Sequence, residues 1–139
     1  METALLTFHH FGLAVRRPDK AFAYLKSLGY TEGRQVYDPL QCVNLAMRYH
    51  PAMPDVEVIW PGEVPSPIDN LVKGGKSLIY HLCYVTAQAE QALADLRGAG
   101  LQIVEIAPPK PAVLFGGVPV SFHNVIGVGL IEIIHGEPQ

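Results

Sequence analysis

The chain writes one pattern twice. The run Phe8-His9-His10-Phe11-Gly12-Leu13-Ala14-Val15 has a counterpart in Leu78-Ile79-Tyr80-His81-Leu82-Cys83-Tyr84-Val85. The offset that carries residue 10 to residue 81 also pairs Asp19 with Glu90, Ala21 with Ala92, Phe22 with Leu93, Leu25 with Leu96 and Gly29 with Gly100. Further on the offset lengthens slightly, and Val56-Glu57-Val58-Ile59 matches Ile131-Glu132-Ile133-Ile134. A duplication dictates the same element order in both halves. A half of roughly 70 residues is marginal alone. The expectation is one domain over 1–139, built from modules 5–60 and 77–135 joined by a linker at 61–76.

Residue periodicity supplies the elements. Leu5 to Val15 is rich in β-formers and reads as a strand. Pro18 opens a helix with Phe22, Leu25 and Leu28 on one face, and Gly29 ends it. Gln35 to Asp38, Cys42 to His50 and Val56 to Trp60 follow as strands, with Asp38 before Pro39 as a turn residue. The second half repeats the order: strand Ser77 to Val85, helix Ala87 to Ala99 closed by Gly100, then strands Gln102 to Ala107, Val118 to Phe122 and Val128 to Ile134. Each half is βαβββ, and the class is α+β. The linker holds Pro61, Pro65, Pro67 and several glycines and reads as a surface crossing. Pro108-Pro109-Lys110-Pro111 reads as a rigid turn.

Composition narrows the function. A hydrophobic content of 49% with 17% charged residues describes a globular protein. A net charge of −3 with scattered Lys and Arg excludes a nucleic-acid partner. No basic-plus-apolar leader and no 18-residue apolar run occur, so no membrane partner is expected and a cytoplasmic location is. Cys42 and Cys83 are not spaced as a redox or metal motif and read as reduced thiols.

The duplicated polar residues stand out against this apolar background. His10 and His81 occupy the first strand of each half, Glu57 and Glu132 the last. A strand sends alternate side chains to opposite faces, so His10 shares a face with the small Gly12 and Ala14 while His9 points away. Glu132, flanked by Ile131 and Ile133, is costly to bury without a partner. Two imidazoles and two carboxylates make a mixed nitrogen–oxygen ligand set for one divalent ion: Zn, Ni, Co, Mn or Fe. His9, His50, His123 and His135 lack repeat partners. Of these, His123 is the one placed near the expected cavity, and with Tyr80 and Phe115 it makes up the candidate substrate-binding set.

These motifs resemble the vicinal oxygen chelate superfamily of glyoxalases, bleomycin resistance proteins and dioxygenases, and within it the methylmalonyl-CoA epimerase-like branch. His10-Phe11-Gly12-Leu13-Ala14-Val15 resembles that branch's opening H-x-G-x-A-V. Ser66-Pro67-Ile68, Gly74-Gly75-Lys76 and His81-Leu82-Cys83-Tyr84-Val85 resemble its central stretch, and Leu130-Ile131-Glu132-Ile133 its close. The resemblance implies a curved, mostly antiparallel sheet around a central cavity, a metal held by His10, Glu57, His81 and Glu132, and a homodimer. It departs on the third strand, Val43-Asn44-Leu45-Ala46-Met47-Arg48, where the epimerases carry an acidic residue, and at Tyr80, where they carry a His.

The activity implied is a divalent-metal-dependent isomerase or epimerase, or a lyase. It would work through a metal-stabilised enolate of a small acyl substrate, a thioester by the resemblance. Glu132 or Glu57 is the expected catalytic base. A glyoxalase I-like lactoylglutathione lyase and a non-catalytic small-molecule-binding protein are the alternatives.

Overall fold

The structure, a computed structural model, describes residues 5–138. They form eight β-strands and two α-helices, an α+β arrangement in two compact units, residues 10–80 and residues 81–138 with 5–9. Among the described residues no helix is long and apolar enough to cross a membrane.

The first unit contains most of β1 (Thr7–Ala14), then α1 (Asp19–Ser27), β2 (Thr31–Asp38), β3 (Val43–Tyr49) and β4 (Val56–Pro61). Its strands run in the order β2-β3-β4-β1, antiparallel except for the parallel β1–β4 pair. The second unit uses β5 (Leu78–Thr86), α2 (Ala89–Gly98), β6 (Ile103–Pro111), β7 (Pro119–Val125) and β8 (Gly129–His135). Its order is β5-β8-β7-β6, again with one parallel pair, β5–β8. Each half is thus an open, mostly antiparallel sheet with one helix.

The two helices end by the same device. Gly29 and Gly100 adopt positive φ, +96° and +94°. Their N–H groups donate to Lys26 O and Arg97 O, and those of Tyr30 and Leu101 reach back to Leu25 O and Leu96 O. These paired bonds satisfy carbonyls the helix end would strand, and glycine makes the left-handed turn without a Cβ clash.

Alternation divides each sheet into two faces. Val56 and Val58 pack with Val15, Ala21, Leu25 and Tyr30 in the first unit. Ile131 and Ile133 pack with Val125, Leu93 and Leu101 in the second. Glu57 and Glu132, between these residues in sequence, leave from the opposite face.

Three boundaries differ from the sequence expectation by more than two residues. β2 begins at Thr31, not Gln35, because a register shift between Glu32 and Gln35 admits Gly33. A Cβ on Gly33 would lie 2.3 Å from the Tyr49 ring, so the approach needs glycine. β6 runs on through Pro108-Pro109-Lys110-Pro111 rather than turning there. It is the last strand in its unit's order and its pairing shifts between Ala107 and Lys110, an edge where prolines without N–H donors are tolerated. β7 extends to Val125 and so includes His123. The linker is more than a surface crossing, since Ile68 and Val72 are buried and joined by a Val72 N–H to Ile68 O bond.

Asp38 is the turn residue expected. Its buried carboxylate accepts from the backbone N–H groups of Leu40 and Gln41 and from the Gln41 side chain. His50 is a structural latch. Its Nδ1 accepts from Ala52 N–H and Met53 N–H at 2.9 and 3.1 Å, which leaves Nε2–H to donate to Leu28 O at 3.0 Å. The imidazole therefore ties the β3–β4 turn to the end of α1. His50→Ala is expected to cost about 1–2 kcal/mol, the net worth of exposed bonds of this kind. Urea unfolding of the two proteins, read by the shift in midpoint at constant slope, checks this.

Candidate metal and catalytic site

Each unit holds one buried imidazole–carboxylate pair, and the two pairs are built alike. In the first, Glu57 stands across from Gly12 in the β1–β4 register, two residues beyond His10. In the second, Glu132 stands across from Cys83 in the β5–β8 register, two residues beyond His81. Paired residues share a face, and so do residues two apart on a strand, so His and Glu converge in both units. His10 Nε2 lies 3.6 Å from Glu57 Oε2, and His81 Nε2 lies 3.1 Å from Glu132 Oε1. Exposure is 0% for His10, 2% for Glu57, 2% for His81 and 3% for Glu132. Water therefore does not solvate these carboxylates, and each keeps an imidazole beside it.

Neighbouring strands finish the walls. Met47 stands across from Glu57, and Leu45 across from Ile59, so β3 offers this face buried apolar side chains and no carboxylate. Phe122 stands across from Glu132, and its ring meets the His81 imidazole edge-on at 5.7 Å and 83°. Phe122 is a site neighbour that sequence reasoning missed. The signal available was its odd-even position on β7, but that is interpretable only once its register with Glu132 is known.

The three candidate substrate residues lie on three different elements. His123 is next to Phe122 on β7 and leaves from the opposite face, where it lines a cleft beside α2. It does not join His81 and Glu132. Tyr80 immediately precedes His81 on β5 and alternation sends it to the other face. Phe115 closes the short 3₁₀ turn Val113–Phe115, is buried, and packs edge-on against His9 at 5.5 Å. Neither cysteine forms a disulfide; Cys83 is buried on the face of Glu132 and Cys42 is half-buried.

His123 and His135 carry the site region's resolved titration shifts. Burial pushes both below the ordinary value of 6.5; for His123 the Glu105 carboxylate opposes this and His135 and Arg97 reinforce it. Above that value both rings are neutral whether the chain is folded or not. As the pH falls below it, the unfolded chain takes up protons that the folded chain resists, so stability drops with acid. Urea midpoints at pH 7 and pH 5.5 should show this loss, and His123→Gln should shrink it.

Comparison with known proteins places the chain. A family model described as the Glyoxalase/Bleomycin resistance protein/Dioxygenase superfamily matches residues 9–122. No curated protein sequence matches significantly. Among solved structures, methylmalonyl-CoA epimerase from Mycobacterium tuberculosis superposes with a TM-score of 0.76 at 21% identity, over 100% of this chain and 93% of that one. A hypothetical protein from Bacillus halodurans C-125 gives 0.76 at 21% identity, over 96% of each. A substituted Streptomyces coelicolor methylmalonyl-CoA epimerase in complex with 2-nitronate-propionyl-CoA gives 0.70 at 17% identity, over 94% of this chain and 96% of that one. At these identities the structures establish the fold, and the family match establishes membership: the chain belongs to the glyoxalase/bleomycin resistance protein/dioxygenase superfamily.

Proposed function

We propose that His10, Glu57, His81 and Glu132 together hold one divalent cation, and that the protein is an isomerase of the epimerase type acting on a small acyl-CoA. The observation that carries this reading is the repeated pair, an imidazole and a carboxylate at the same register position in both halves and buried in both. Burying a carboxylate in an apolar strand is unfavourable unless something pairs with it, and doing so twice at matched positions is what a shared ion requires. The donor set fits such an ion. Neutral imidazoles and carboxylates suit Zn, Ni, Co, Mn or Fe, and four protein ligands leave open positions for substrate oxygens. The acyl-CoA class rests on the methylmalonyl-CoA epimerases that share the fold, one of them holding an acyl-CoA analogue.

When bound, a divalent cation supplies Lewis-acid polarisation of a carbonyl oxygen. The residues of this chain do the rest. Glu132 or Glu57 would take the proton beside the carbonyl, and delivery of a proton to the opposite face of the enolate would complete the epimerisation. β3 offers no carboxylate on this face, so the base comes from the ligand pairs. Met47 and Leu45 exclude water from one wall, and Phe122 restrains the His81 ring.

The test follows α-proton exchange in deuterated water with methylmalonyl-CoA and, in parallel, with the hemithioacetal of glutathione. Exchange with the first supports the epimerase reading. Exchange only with the second makes the protein a glyoxalase-type lyase. Metal binding without either marks a binding protein.

A further inference from the structure

The two halves differ on the helix-covered faces of their sheets. Aligned on Met47 opposite Glu57 and Phe122 opposite Glu132, Ala46 corresponds to Ser121, Arg48 to His123 and Trp60 to His135. Phe22 corresponds to Leu93 by the sequence repeat. In the first unit these positions fill the space. The Phe22 and Trp60 rings meet edge-on at 5.6 Å, and the Arg48 guanidinium lies over the Phe22 ring at 4.0 Å. In the second unit the smaller Leu93, His123 and His135 leave a cleft of about 660 Å³, with Ser121 and Glu105 also in its walls.

We propose that this cleft binds a divalent transition-metal ion through His123 Nε2 and His135 Nε2, separately from the four-residue centre. Both Nε2 atoms converge on one oxygen, Ser121 Oγ, at 2.9 and 2.7 Å. Ser121 has one hydroxyl proton, so in these two bonds one ring accepts and the other donates its Nε2–H; with both rings in the Nδ1–H tautomer the two Nε2 lone pairs face one point, as zinc, copper or nickel takes them. Burial keeps both rings neutral near pH 7, the form that coordinates. The ion would displace the two hydrogen bonds to Ser121, whose hydroxyl keeps its proton.

A second observation points the same way. His123 is 3% exposed, and its Nδ1 is buried without a hydrogen-bond partner. Coordination through Nε2 puts the ring proton on Nδ1. Glu105 stands across the β6–β7 pair from His123, and its negative charge acts on that ring. A carboxylate behind a metal-bound imidazole is the usual way such a ligand is oriented. The lining residues include Glu90 and Glu105 and no Lys or Arg, which favours a cation.

Zinc titration of the full chain tests this, monitored by calorimetry at micromolar protein. His123→Gln and His135→Gln should each lose one zinc equivalent relative to the unsubstituted chain. Both leave His10, Glu57, His81 and Glu132 intact, so any ion held there stays in the count. Ser121→Ala, which breaks the hydrogen bonds but spares both imidazoles, should keep the equivalent. Copper added to the unsubstituted chain should show nitrogen hyperfine coupling from two imidazoles that His135→Gln reduces. An unchanged zinc count in the two histidine variants, with native circular dichroism, would overturn the proposal. So would loss of the equivalent in Ser121→Ala.

Discussion

Glu132→Gln is expected to lower α-proton exchange by about 10²–10⁴-fold, the usual worth of a positioned general base. It should also weaken metal retention. The two effects have one origin. Glu132 is 3% exposed, stands 3.1 Å from His81, and is flanked by Ile131 and Ile133, which pack into the core. Gln keeps the shape but offers a neutral amide where an anion is needed, both to hold a cation and to accept a proton. The fold should survive, because a neutral amide of the same shape is cheaper to bury than a carboxylate. Thermal unfolding of the metal-free variant should therefore match or exceed that of the metal-free parent. Exchange rates with methylmalonyl-CoA, and metal content after dialysis, check the other two effects. An unfolded variant would mean that Glu132 holds the sheet together rather than serving an ion.

Ile133→Ala is expected to destabilise the protein by about 2–5 kcal/mol while leaving the His81–Glu132 pair in place. Ile133 is fully buried on β8, in a cluster with Val125 and Ile131 and beside Leu93 and Leu101. The change removes buried methyl groups and leaves a void that β-strand neighbours on both sides cannot easily close. Its side chain leaves β8 from the face opposite Glu132. Stability and chemistry should therefore separate. The urea midpoint should fall substantially while the exchange rate per folded molecule changes little. A loss of activity matching that of Glu132→Gln would show that the two faces of β8 are coupled.

These contrasts also show what the sequence made legible. Val56-Glu57-Val58 and Ile131-Glu132-Ile133 announce strands with one buried charge, because apolar neighbours on both sides of a carboxylate force it onto the other face. The glycines at 29 and 100 announce helix ends, since both adopt the positive φ that a turn there requires. The face of β7 was not legible in the same way. Ser121, Phe122 and His123 all belong on a strand, and only the Phe122–Glu132 register decides which side chain meets His81. Position near the expected cavity singled out His123, and the register sets Phe122 beside Glu132. β6 failed for another reason: consecutive prolines read as a turn, but a strand at the edge of its unit has no need of their missing donors. Gly33, ahead of the expected strand start at Gln35, belongs to β2 because it allows the close approach of Tyr49.

The most direct measurement is an anomalous-scattering map from a crystal of the cobalt-loaded protein. A single strong peak within coordination distance of His10, Glu57, His81 and Glu132 is the predicted result. No density at those side chains, or separate ions on the two pairs, would contradict the shared centre on which the proposed chemistry depends.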